Sequence, residues 1–185
     1  MSETPHHPEH SGDAITIAKV EPILKTGVVV STTAQRPDGG LKDRHSAYHD
    51  NISPPLRWTA VPDARAWAVI VEDPDAPQEH PFIHWMIWNI PGEARGLPEG
   101  LPNTPALVTP RGAIQGRNSM HGHGYFGPRP PAGHGLHHYY FQVFALDDTI
   151  EMGPETQLAD LLNALKARTL ASGEMVATYE APTQQ

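Results

Sequence analysis

The stretch ARAWAVIVEDPDAP, residues 64–77, runs an apolar segment straight into two carboxylates one residue apart. A run this apolar, bounded by turn signals, predicts a strand covered on both faces. What Asp73 and Asp75 do at its end has three readings. Asp and Pro are favoured turn formers, so the two acids read first as solvated turn residues. An apolar strand followed by D-x-D is also the pattern of aspartyl-phosphate enzymes, with the first Asp as nucleophile and the second as general acid. The third reading makes them the wall of a binding site.

The neighbouring segments favour a β protein. FIHWMIWNIP (82–91) predicts the next strand, and side-chain alternation puts His84, Met86, Trp88 and Ile90 on one face, with Trp85, Ile87 and Asn89 on the other. LHHYYFQVFALD (136–147) predicts another, with His137, Tyr139, Phe141 and Val143 on one face. AITIAKV (14–20) and GVVVS (27–31) read as the first two strands, NISPPLRW (51–58) as an extended segment, and EMVATYE (174–180) as a short closing strand. Residues 92–103 and 111–135, dense in Gly and Pro, read as loops.

One helix is expected, in GPETQLADLLNALKARTLASG (153–173). Leu158, Leu161, Leu162 and Leu165 follow the i, i+3, i+4, i+7 pattern; Pro154 and Glu155 suit a first turn and Gly173 a C-terminal stop. Strands outnumber helices and do not alternate with them. The expected fold class is therefore mainly β, an antiparallel sheet with a late helix, and not a doubly wound sheet.

Composition narrows the function classes. The chain has 185 residues, which suits a single domain over 15–185 behind a polar, His-rich tail at 1–14. Its formal charge of −8 without a basic block argues against non-specific nucleic-acid binding. There is no cysteine, so disulfides, thiolate catalysis and Cys-based zinc sites are excluded. The N-terminus has no basic n-region or apolar h-region, and no apolar run approaches the roughly 20 residues of a membrane span. A cytoplasmic protein without a transmembrane segment is expected.

Three segments bring titratable groups to strand ends: Asp73 and Asp75, then His84, then GYFGPRPPAGHGLHHYY (124–140) with Pro130, Pro131, His137 and Tyr139. The i, i+2 spacing of His137 and Tyr139 points both to one face, where His84 meets them if its strand is a neighbour. Two imidazoles, a phenol and a glycine-rich prolyl turn make a reasonable site for a small oxyanion such as phosphate. A carboxylate then serves by fixing the tautomer of an imidazole. If both imidazoles must be cationic to hold a dianion, affinity weakens as pH rises through roughly 6.5. Each residue alone reads as core or turn. The His clusters (His6, His7 and His10; His121 and His123; His134, His137 and His138) raise a metal-handling alternative, but no H-E-x-x-H or comparable motif supports it.

Taken in order, DPDAP, a strand opening HW and running to NIP, GP-x-PP, and GLHHYYFQVFALD resemble the phosphatidylethanolamine-binding protein (PEBP) family, most of all its bacterial Raf-kinase-inhibitor-like branch. NISPPLRW and TYE fit the same branch, and the resemblance spans residues 27–180. It implies a central antiparallel sheet, a smaller second sheet and a C-terminal helix. It implies a pocket for phosphate or a phospholipid headgroup formed by Asp73, Asp75, Pro77, His84, Pro130, Pro131, His137 and Tyr139. It further implies no catalysis and no cofactor, protein contacts with a kinase or protease, and a homodimer. Three positions depart from the pattern or stand beside it: His138 replaces an Arg, Phe126 replaces a small Gly, and Arg129 adds a cation at the pocket rim. The competing expectation is a phosphatase using Asp73 and Asp75; Pro74 between them, the missing Thr and the missing βαβ units weigh against it.

Overall fold

The computed structural model describes residues 15–183; the tail at 1–14, with His6, His7 and His10, lies outside the described residues. In chain order the elements are β1 (Val30–Ser31), β2 (Leu56–Trp58), β3 (Ala66–Asp73), β4 (Phe82–Pro91), β5 (Gly96–Leu97), β6 (Ile114–Gln115), β7 (His137–Leu146), α1 (Leu158–Arg168) and β8 (Thr169–Tyr179). They form a three-stranded sheet ordered β1-β2-β5 and a five-stranded sheet ordered β6-β4-β3-β7-β8. All of these pairings are antiparallel. The mainly β fold with two sheets and one late helix agrees with the sequence.

β3 is the central strand of the large sheet, and all 8 of its residues are buried. One face, with Trp67, Val69 and Val71, packs with Trp85, Phe141 and Val143 against Val30, Leu56 and Trp58 of the small sheet. The other, with Ala68 and Ile70, packs with Met86, Trp88 and Phe144 under Leu161 and Leu165 of α1. Cover on both sides is why this strand reads as a continuous apolar run rather than an alternation.

The pairing of β3 with β4 slips twice. Trp67 faces Ile90 but Val69 faces Ile87, and Val71 faces Trp85 but Glu72 faces Ile83. Each slip inserts one extra residue into β4, at Asn89 and at His84. Asn89 takes a left-handed conformation, φ 58°, and its amide brackets the backbone of Ile150 through bonds of 2.8 and 2.7 Å. Simple alternation along β4 therefore fails: Ile90 joins Trp85 and Ile87 in the intersheet core, while Met86 and Trp88 stay on the helix side. A bulge re-aims side chains in this way, and nothing in local hydrophobicity announces it.

Other expectations need correction. AITIAKV is no strand: Thr16–Lys19 is a single 3₁₀ turn. Its leading amides are taken by side chains of the sheet, Thr16 N–H donating to Glu72 Oε2 (2.8 Å) and Ile17 N–H to Gln142 Oε1 (2.6 Å). The helix begins at Leu158, so Pro154 and Glu155 precede it, and it ends at Arg168 with Thr169 Oγ1 donating to Leu165 O at 2.7 Å. Gly173 is not its stop. β8 starts directly after the helix and runs through Gly173 to Tyr179, longer than the closing strand expected. A Cβ on Gly173 would stand 1.7 Å from Val28 O, so the glycine admits a crossing chain whose Val28 N–H donates to Ser172 O at 3.0 Å.

Candidate functional site

At the end of the large sheet where β3 finishes, a cavity of about 260 Å³ is lined by Asp73, Pro77, His84, Pro130, Pro131, His137 and Tyr139. Phe82, Met120, Phe126 and Arg129 share its lining. The expected meeting of His84 with His137 and Tyr139 is therefore observed, but not by the expected route. β4 and β7 are not neighbours; β3 lies between them. His84 reaches across because the bulge turns it out of the Met86–Trp88 face, and its ring meets Tyr139 edge-on, centroids 5.1 Å apart.

The two acids of DPDAP part company. Asp73 is buried; its Oδ2 accepts from His137 Nδ1–H at 2.7 Å and its Oδ1 from the Asp75 amide at 2.8 Å. The carboxylate thus fixes the His137 ring, leaving its Nε2 directed to His134 Nδ1 at 2.6 Å. Asp75 does not line the cavity. Its Oδ2 accepts from both the backbone N–H and the ring Nδ1 of His138, each at 2.7 Å. The His138 that replaces the family's Arg therefore takes up the outer acid and faces away from the cavity, as its alternate position suggests.

His84 is held differently. Its Nδ1–H donates to Phe126 O at 2.6 Å, while Phe126 N–H donates to His84 O at 2.9 Å. Burial pushes the His84 imidazole down to about 4, against smaller upward pulls from the Phe126 carbonyl and Asp73. It is neutral near pH 7, with Nδ1 carrying the hydrogen and Nε2 a lone pair. The expectation of two cationic imidazoles fails on this residue, because desolvation outweighs the charge of Asp73.

Tyr139 lies on the cavity floor. Its hydroxyl is buried and has no hydrogen-bond partner among the described residues, an exception to the general pairing of buried polar atoms. Burial, with Asp73 adding to it, pushes the phenol far above its usual range, so it keeps its proton. Tyr125, also buried, is by contrast a structural residue whose hydroxyl donates to His45 O at 2.8 Å.

The prolyl loop is pinned from below. Gly127 N–H donates to Asn51 Oδ1 at 2.7 Å, and a Cβ at Gly127 would stand 2.1 Å from His45 O. Tyr48 donates to Pro130 O at 2.6 Å and lies under the Arg129 guanidinium, 5.6 Å from ring centroid to Cζ. Sequence reasoning passed over Phe82 and Met120 as cavity residues, and placed His134 only in a metal cluster. The Gly-His-Gly turn three residues before His137 was the available signal for His134. Among the described residues no group of three or more His, Cys, Asp or Glu is placed to hold a metal ion. No helix among them is long and apolar enough to cross a membrane.

Two antiparallel sheets, a late helix and one polar-floored cavity at the strand ends place the molecule among small β-rich proteins of PEBP architecture. The solved structure of Escherichia coli YbcL, described as a member of the mammalian PEBP family, superposes with a TM-score of 0.78 at 32% identity, over 85% of this chain and 100% of that one. A putative PEBP homologue from Chlamydia trachomatis gives 0.74 at 28% identity, over 84% and 99%. In sequence, the UPF0098 protein of Methanothermobacter thermautotrophicus is 37% identical over 81% of this chain and 97% of its own length. YbcL is 37% identical over 70% of this chain and 72% of its own. The sequence profile described as phosphatidylethanolamine-binding protein matches residues 31–180. The chain belongs to the phosphatidylethanolamine-binding protein family.

Proposed function

We propose that this chain is a non-catalytic receptor for a small oxyanion, phosphate or a phospholipid headgroup, held in the cavity between DPDAP and the prolyl loop. The observation that carries the reading is the Tyr139 hydroxyl: a buried, proton-bearing donor without a partner, set beside His84 under a cavity. Leaving such a group unsatisfied costs ~1–3 kcal/mol, and an oxyanion that accepts its hydrogen bond recovers that cost. Arg129 at the rim adds a positive charge.

The same geometry argues against the phosphatase alternative. Both oxygens of Asp73 already accept hydrogen bonds, and Asp75 is turned to His138 outside the cavity, so the two acids do not converge on one reacting centre. Exposed Met120 and Leu136 beside the site suit a protein partner, and kinase or protease modulation from a cytoplasmic setting completes the proposal. Titration with inorganic phosphate and with phosphorylethanolamine, followed by NMR, tests the reading. Shifts at His84, His137 and Tyr139 are expected; no response at millimolar ligand removes it.

A further inference from the structure

The donors and acceptors around the cavity are unequal in a way that selects among oxyanions. His84 spends its one ring hydrogen on Phe126 O at 2.6 Å. The nitrogen left to meet a guest, Nε2, is a lone pair. His137 spends Nδ1–H on Asp73 and its Nε2 on His134. The groups that face His84 are Asp73 from β3, His137 and Tyr139 from β7, with His134 beyond His137, and Arg129 from the prolyl loop. Tyr139 and Arg129 are donors, whereas His84 Nε2 is an acceptor beside a buried carboxylate. A fully ionised oxyanion would bring a lone pair against the lone pair of His84, and a second negative charge towards Asp73.

We infer that the cavity takes its oxyanion with one proton still on it, as the monoanion of a phosphate monoester whose P–O–H donates to His84 Nε2 while its other oxygens accept from Tyr139 and Arg129. This rests on the proposed oxyanion site and selects among its ligands: phosphate and monoesters such as phosphorylethanolamine fit, whereas an intact phospholipid, a phosphodiester without a P–O–H, does not. The proton balance is simple. A monoester monoanion brings its own proton. A dianion binds only with one proton from solvent, which lies along the same O···N line whether phosphate or imidazole carries it. Because burial holds His84 neutral down to about pH 4, the free site does not supply that proton. The ester group faces Phe82, Phe126 and Met120, so an aromatic or aliphatic substituent is accommodated at the mouth.

The test uses the full chain and two isosteric probes, phenyl phosphate and phenyl sulfate. Phenyl sulfate is a monoanion with no O–H to donate. Calorimetry is run at pH 5 and pH 8, each in two buffers of different ionisation enthalpy. With a second phosphate pKa of roughly 6, phenyl phosphate is expected to bind without proton exchange at pH 5. At pH 8 it takes up about one proton, and its affinity falls about tenfold per pH unit above that pKa. Phenyl sulfate is expected to bind at least tenfold more weakly at pH 5. In His84→Gln, whose amide offers a permanent N–H near Nε2, the uptake disappears and phenyl sulfate gains on phenyl phosphate. Equal affinities of the two probes in the wild type, with no proton uptake at pH 8, overturn the inference while leaving the oxyanion site standing. Uptake retained in a folded His84→Gln moves the proton to the His137–His134 pair and also overturns it. No binding of phenyl phosphate or inorganic phosphate at either pH removes both readings. If His84→Gln does not fold, the wild-type comparison decides alone.

Discussion

Acid should destabilise this protein through His84 before its carboxylates titrate fully. In the unfolded chain the imidazole titrates near 6.5, whereas in the folded protein burial holds it near 4. Between those values the unfolded state binds a proton that the folded state refuses, so stability falls as pH falls through this window and is fully present above 6.5. The whole difference corresponds to about 3 kcal/mol at ~1.4 kcal/mol per pKa unit. Going from pH 7 to pH 5 realises about 2 kcal/mol of it, since the folded group is still mostly neutral at pH 5. His45 is lowered by burial in the same sense and adds to the slope. The assay is urea unfolding at pH 7, 6 and 5 for the wild type and for His84→Asn, whose amide keeps a donor for Phe126 O. The variant removes the titration, and the wild type should lose about 2 kcal/mol more than the variant between pH 7 and 5. Parallel profiles would refute the claim that burial keeps His84 neutral.

Three further perturbations have defined directions. Tyr139→Phe removes a hydroxyl that nothing in the free protein satisfies, so thermal unfolding of the free protein should be unchanged or up to ~1 kcal/mol more favourable to the fold. The same variant should bind phosphate about five- to tenfold more weakly by calorimetry, an opposite sign that a simple packing role does not give. Gly173→Ala forces a methyl against Val28 O and should cost on the order of 3 kcal/mol in urea unfolding. Glu72→Met strands the Thr16 amide and leaves the Gln142 side-chain amide with only its 3.3 Å bond to Ile70 O. It should cost about 2 kcal/mol or more, with amide hydrogen exchange at Thr16 accelerated.

The sequence was most informative where a residue's environment depends on its own strand. The burial of β3 on both faces, and the shared face of Tyr139, Phe141 and Val143 on β7, follow from local pattern alone. It was least informative where the environment is set by chain far away. Thr16–Lys19 alternates like a strand, yet its amides are claimed by Glu72 and Gln142, more than fifty residues distant. Gly173 looked like a helix stop because a glycine after a leucine pattern usually is one, whereas the crossing of Val28 that requires it is a tertiary fact. The site shows the same division. Its residue types came from motifs, but the division of labour between Asp73 and Asp75 depends on which histidine each one meets. The presence of His84 depends on a bulge that hydrophobic alternation cannot register.

The proposed function asks an acidic chain to hold an anion. A net charge of −8 acts at long range, where salt screens it over about 8 Å at physiological ionic strength. The cavity is decided at contact distance. There the one buried carboxylate, Asp73, is spent on orienting His137, and the second acid of the same turn is drawn outward by His138. His138 keeps Asp75 occupied outside the cavity. What remains facing inward is one phenol donor, one guanidinium and one neutral imidazole. That set carries one net positive charge, which on the proposed reading suits a ligand with a single negative charge rather than two. The turn that first read as a stray acidic cap thus splits its two acids, one engaged by His137 in the cavity wall and the other held outside it by His138.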